Sequence, residues 1–343
     1  MTKASGQTTW AEYQSQPATW ARLIERLGSG GLAFPVAKGE VDDLLLFGSG
    51  TSYYLALGAA DWMRRRGWPA RAVPSCEIML DPEAHVPRAD GSLAIGISRS
   101  GTSSEVLLAG DALRRAGIRV AAVSCTEGAA QLQAADDPIL IHEGREDGLV
   151  MLRSISAMLL ALQWLTGNAA DRAALARLPD AGQALLETHG RAIADLAGKR
   201  EFDRFVFLGS GPDYPLALEA ALKVQEMAIS TSEAYHSLEY RHGPKACADS
   251  RTLVCLFALP DRDHGLALAR DMRALGAGLL VVGPDAGAYD GTADLVVPAP
   301  AGLSASQAGV LSLMPLQHLA YATALRLGRD PDAPQNLSKV VTF

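Results

Sequence analysis

GSGTSYYLALGAA, residues 48–60, returns as GSGPDYPLALEAA, residues 209–221. The offset is 161 residues (209 minus 48) without a gap, and Gly, Ser, Gly, Tyr, Leu, Ala, Leu, Ala and Ala coincide in register. Each copy follows an apolar run, Leu44 to Phe47 in one and Phe205 to Leu208 in the other, and opens an alanine- and leucine-rich segment. Matched glycines at a fixed offset, between a strand and a helix, mark a duplicated unit. Working outward, Ser92 to Ile97, Arg119 to Ser124 and Pro138 to Ile141 read as further strands of the first copy. Thr252 to Leu259, Gly278 to Val282 and Asp294 to Val297 read as their counterparts in the second. Nearly all-apolar strands that alternate with helices imply parallel sheets covered on both faces. The expected fold class is α/β, two tandem doubly wound parallel-sheet domains of flavodoxin-like type.

Ahead of the first strand, Trp10, Tyr13, Trp20, Leu23 and Leu27 recur at helical spacing, so Thr9 to Leu27 reads as one amphipathic helix that the glycines after it close. A long helical stretch from Leu152 to about Lys199 is expected to close the first unit and join it to the second. The expected organisation is an N-terminal helical segment over 1–40, a first domain over 41–195, a second over 196–330, and a tail over 331–343 that contributes to the site. A chain of 343 residues is long enough for two such domains.

The 31 Lys and Arg against 38 Asp and Glu give a formal charge of −7. Neither nucleic acid nor an anionic membrane is drawn to such a field, so neither is an expected partner. The first residues lack a charged start followed by an apolar run, and no stretch reaches about 18 uninterrupted apolar residues, so the chain reads as cytoplasmic. Cys76, Cys125, Cys247 and Cys255 have no C-x-x-C spacing and read as buried free thiols. No His, Asp and Glu cluster has ligand spacing, so no metal is expected. Neither GSG turn carries the third glycine of a dinucleotide fingerprint, so no nicotinamide or flavin cofactor is expected either.

In open parallel sheets, ligands bind beyond the carboxyl ends of the strands, where helix N-termini present free amides. The strand ending at Ile97 runs into Ser98, Arg99, Ser100, Gly101, Thr102, Ser103 and Ser104. Hydroxyls donate without bulk and glycine lets the backbone approach, which suits a phosphate monoester; the plainer reading is a serine-rich helix cap. Thr51 and Ser52 of the first GSG turn lie beside this loop in the expected topology.

Lys223 and Glu226, three apart, share a helix face and by themselves read as a surface ion pair. What raises them above that is the stretch that follows, EAYHSLEYRHGPKACAD, where His242 sits on a Gly-Pro loop. The end of the sequence, DAPQNLSKVVTF, brings Lys339 after a proline-containing turn.

GSGTSYY, SRSGTSSE, LALEAALKVQE, EYRHGPK and NLSKVVTF together resemble the tandem sugar-isomerase (SIS) fold. That fold is shared by the isomerase half of glucosamine-6-phosphate synthase and the stand-alone glucosamine- and galactosamine-6-phosphate deaminase/isomerases. The resemblance implies that Gly50, Thr51, Ser52, Ser98, Arg99, Ser100, Gly101, Ser103 and Ser338 bind the sugar phosphate. It implies Glu226 as the C1/C2 proton shuttle, organised by Lys223, and His242 as the group that assists ring opening from a neighbouring subunit of a homodimer or larger homo-oligomer. Lys339 is implied near the sugar's O1 and O2, or as an imine former. Arg99 stands where the synthase type has Gln and is expected to add a charge-assisted phosphate bond. Met151 and Arg153 stand where that type carries Ser and Lys. The implied function is a phosphosugar aldose–ketose isomerase or an aminosugar-6-phosphate deaminase; the alternative is a non-catalytic sugar-phosphate-binding regulator.

Overall fold

The computed structural model describes residues 5–88, 90–199 and 201–343, apart from the Lys199 side chain. The chain divides into two compact units. The first-sheet unit comprises Ala18–Asp147, Met151–Ala176 and Ser338–Phe343. The second-sheet unit comprises residues through Pro17, Gly148–Val150 and Arg177–Leu337.

In the first-sheet unit β1 (Asp43–Gly48), β2 (Ala70–Pro74), β3 (Ser92–Ile97), β4 (Arg119–Ser124) and β5 (Asp137–Leu140) lie in the order β2-β1-β3-β4-β5. Every neighbouring pair is parallel. In the second, β6 (Arg204–Gly209), β7 (Thr231–His236), β8 (Thr252–Phe257), β9 (Gly278–Gly283) and β10 (Leu295–Pro298) lie in the order β7-β6-β8-β9-β10, again all parallel. β1 and β6 start 161 residues apart (204 minus 43), and so do β2 and β7 (231 minus 70). The repeat in the sequence is therefore a repeat of topology, and the α/β tandem fold is as expected.

Strands at the centre of each sheet are sealed on both faces. Leu45, Phe47, Ala94 and Val120 pack with Val106 and Leu113 of the Ser104–Arg115 helix in one core. Val206, Leu208, Val254, Leu256, Leu279 and Val281 pack with Leu268 and Met272 of the Arg262–Ala274 helix in the other. Each fully buried aliphatic or aromatic side chain contributes about 1.5–3 kcal/mol.

The structure departs from the periodicity in three places. β2 and β7 escape the apolar-run search because polar residues break the run, Arg71 in the first and Thr231, Ser232 and Glu233 in the second. The N-terminal segment is two helices, Gln7–Gln14 and Gln16–Gly28, because Pro17 has no N–H to continue the first and fits the opening turn of the second. The stretch after Leu152 is three helices, Arg153–Thr166, Ala169–Leu175 and Leu178–Lys199, and the last belongs to the second-sheet unit.

All four cysteines are free, but only Cys125 and Cys255 are buried, and burial pushes both thiols up; Cys76 is half-buried and Cys247 exposed. Among the described residues no helix is long and apolar enough to cross a membrane.

Candidate active site

In the first-sheet unit the connections from β1 and β3 leave neighbouring strands in opposite directions along the sheet, which opens a crevice at their carboxyl ends. Two helices begin there, Thr51–Arg64 and Ser104–Arg115, so two positive helix ends meet one place. Gly50 precedes the first helix with φ 55° and ψ −128°, a conformation open to glycine. Thr51 and Ser52 are buried in its opening turn. In the facing loop the buried Ser98 Oγ accepts from Gly101 N at 3.1 Å, and Ser100 Oγ accepts from Thr102 N at 3.3 Å. Ser103 caps the second helix without a side-chain bond to it. The hydroxyls of Ser52 and Ser103 have no hydrogen-bond partner among the described residues. Ser49 Oγ donates to Glu105 Oε2 at 2.7 Å and braces the two loops.

Gly101 is the tightest point: its φ is 63°, and a Cβ there would stand 2.5 Å from Ala129 Cβ. Gly101→Ala is therefore expected to cost about 2–4 kcal/mol from left-handed strain and overpacking, seen as a lowered denaturant midpoint. A midpoint equal to wild type would show that the loop yields.

Arg99, between these serines, is buried and donates through Nη2 to the carbonyl of Lys339 at 2.9 Å. Lys339 Nζ donates to the carbonyls of Glu146 (3.0 Å) and Asp147 (2.8 Å). Ser338 Oγ turns back to the carbonyl of Val340 at 3.1 Å. Arg99, Ser100, Thr126, His142, Arg145 and Lys339 contribute to the wall of a cavity of about 680 Å³.

In the second-sheet unit the Tyr214–Lys223 helix passes into a π-helical turn, Val224–Ala228, that ends on Ile229 at φ 51°. Such turns are uncommon and gather at functional sites. Lys223 is fully buried, with its Nζ 2.5 Å from Glu226 Oε2 and 3.2 Å from Glu219 Oε1. Burial alone would pull its ammonium down, but the two carboxylates outweigh burial and raise its pKa above the usual lysine value. The Lys223–Glu226 pair is thus no surface salt bridge. Of the three side chains only that of Glu226 is exposed, at 17%. His242 follows the Glu239–Arg241 turn, is exposed, and its ring has no hydrogen bond or ion pair among the described residues.

Residues 40–166 match the family described as the SIS domain. The chain carries an SIS domain over those residues. It is 30% identical over 323 residues to glutamine–fructose-6-phosphate aminotransferase [isomerizing] of Gloeobacter violaceus, which takes in 88% of this chain and 52% of that protein. The chain thus spans about half the length of the curated relatives it matches. It superposes on glucosamine-6-phosphate deaminase from Thermotoga maritima with a TM-score of 0.85 at 29% identity, covering 98% of this chain and 100% of that one. The tagatose-6-phosphate ketose/aldose isomerase from Escherichia coli shares its fold, with a TM-score of 0.86 at 24% identity over 97% and 96% of the two chains.

The two units carry different sets of these residues. Gly50, Thr51, Ser52, Ser98, Ser100, Gly101 and Ser103 come together in one unit, where Arg99 also meets Lys339; Lys223 meets Glu226 in the other. Pro212 and Asp213 stand where the first copy has Thr51 and Ser52. Three residues escaped the sequence reading. Glu219 replaces Gly58 of the first copy (219 minus 161), and a carboxylate at a glycine's place in an alanine-rich helix was the signal. Ser49 and Glu146 carried no signal apart from their partners.

Proposed function

We propose that this SIS protein is an enzyme that anchors a hexose or hexosamine 6-phosphate and moves a proton between its C1 and C2, as an aldose–ketose isomerase or a deaminating isomerase. The observation that carries this reading is the buried Lys223 held between Glu219 and Glu226, which presents one carboxylate from a π-helical turn. A protein that only bound sugar phosphate would need the serine loop but not an ammonium buried in a carboxylate pair, which is expensive to desolvate.

Each role falls to a residue of suitable chemistry. The phosphate takes the amides and hydroxyls of Gly50 to Ser52 and Ser98 to Ser103, at two helix starts. His242, exposed and unpartnered among the described residues, serves the ring opening of a second copy's substrate. Glu226 takes the proton from the carbon next to the carbonyl and returns it to the neighbouring carbon, through an enediol or enolamine. Lys223 keeps that carboxylate in place. Lys339 stabilises charge at O1 and O2. With an amino sugar, the same shift leaves a C2 imine, which water converts to ketose and ammonia. The names of the relatives, an isomerizing aminotransferase and a glucosamine-6-phosphate deaminase, support this chemistry.

Glucosamine-6-phosphate, galactosamine-6-phosphate and fructose-6-phosphate, offered in turn while ammonia, ketose and aldose are followed, test the proposal. Turnover of at least one is expected. Saturable binding with no turnover of any of them would leave only the binding protein.

A further inference from the structure

We infer that Arg99 acts through Lys339, as the positioning residue that sets where the tail lysine stands, and not as a phosphate ligand. The inference rests on the role proposed for Lys339.

The main chain of Arg99 is pinned at the end of β4: its carbonyl accepts from Cys125 N at 3.2 Å and from Ser124 Oγ and Thr126 Oγ1 at 3.0 Å each. Its guanidinium, 8% exposed, points between two acceptors. Nη2 takes the Lys339 carbonyl, and Nη1 lies 3.7 Å from Glu146 Oε2. The Glu146 side chain is fully buried and accepts from three donors at the start of the Arg153–Thr166 helix. These are Leu152 N at 2.7 Å, Ser154 N at 3.1 Å and Ser154 Oγ at 2.6 Å. That carboxylate is fixed before Arg99 meets it. The same residue offers its own carbonyl, and that of Asp147, to Lys339 Nζ.

The tail lysine is therefore gripped twice, at its peptide by Arg99 and at its ammonium by the Glu146–Asp147 backbone, and both grips trace to Glu146. Further along, Ser104 N donates to the Val341 carbonyl and Phe343 N to Ser104 Oγ, which lays the tail over the helix start beside the serine loop. A planar fork that satisfies a carboxylate and a carbonyl at once is a task for arginine; glutamine offers no charge and lysine a single point of contact.

Arg99→Gln, Arg99→Lys and Glu146→Gln in the full chain test the inference with three readouts. These are the acetylation rate of Lys339 relative to the exposed Lys38, the affinity for inorganic phosphate by calorimetry, and kcat and KM for the sugar phosphate that is turned over. Loss of a charge-assisted bond is expected to raise the Lys339 to Lys38 labelling ratio about tenfold in Arg99→Gln and less in Arg99→Lys. The ratio is expected to rise in Glu146→Gln as well; the Glu146 carboxylate accepts from Leu152 and Ser154 and, among the described residues, from no hydroxyl of the serine loop. The phosphate Kd is expected to stay within about threefold, and the damage to fall on kcat and not on KM. An unchanged labelling ratio, or a phosphate Kd raised about tenfold in Arg99→Gln, would overturn the inference. If Arg99→Gln does not fold, the other two variants carry the same readouts. A wild-type chain that neither binds phosphate nor turns over any sugar phosphate sinks the proposed function, and the labelling ratio still decides whether Arg99 holds Lys339.

Discussion

Replacing Glu226 with Gln is expected to slow the entry of solvent deuterium at C1 or C2 of the bound sugar phosphate by about a hundred- to ten-thousandfold, the usual contribution of a positioned general base. The substitution is chosen to spare the fold. Gln keeps the length of the side chain and an oxygen that accepts from Lys223 Nζ, and Glu219 remains to balance the buried ammonium. The phosphate cradle proposed above lies on other residues, so the affinity for inorganic phosphate is expected to stay within about threefold. Proton NMR of the substrate in deuterium oxide reads the exchange directly. Exchange at the wild-type rate would take Glu226 out of the reaction whatever else the chain does.

Lys223→Met is expected to destabilise the second-sheet unit by about 3–5 kcal/mol, because it strands the fully buried Glu219 without a counter-charge. The pH dependence separates this cause from mere loss of packing. In wild type the Lys223 pKa is raised, so its stabilisation is fully present below the ordinary lysine range and is lost only as pH rises through the raised value. Across neutral pH it is therefore constant. In the variant the stranded carboxylate takes up a proton on folding, so the folded state binds more protons than the unfolded one and the variant gains stability as pH falls. Denaturant melts at pH 5 and pH 7.5 should show a smaller deficit at the lower pH, and adding Glu219→Gln to Lys223→Met should recover part of it at pH 7.5. Equal deficits at both pH values would mean that Glu219 is not the stranded charge.

How far the sequence could be read depended on whether a residue's partner was local. β1, β3, β4, β6, β8 and β9 announce themselves because both their faces are sealed, and the GSG phrase marks the turn that follows the first strand of each copy. β2 and β7 do not, since Arg71 in one and Thr231, Ser232 and Glu233 in the other interrupt the apolar run. The serine loop was legible as a strand-to-helix turn, because hydroxyls favour helix starts and glycine favours tight turns. The aim of Arg99 was not: its carbonyl partner is 240 residues away, and nothing near Arg99 hints at it. Lys223 and Glu226 were legible as a pair through their spacing, but that the pair is buried depends on Glu219 and the π-helical turn, which follow from packing.

Residues 338–343 pack with the first-sheet unit, although the whole of Arg177–Leu337 is translated between Ala176 and Ser338. Domains made early in a chain fold while later ones are still being synthesised. All five strands and the serine loop of the first sheet have left the ribosome long before the segment that carries Lys339 follows them. On the roles proposed here, a nascent chain released short of residue 338 would own the phosphate cradle without its lysine: a sponge for sugar phosphate with no catalytic output, so that premature termination would yield a competitor for substrate and not merely a lost enzyme.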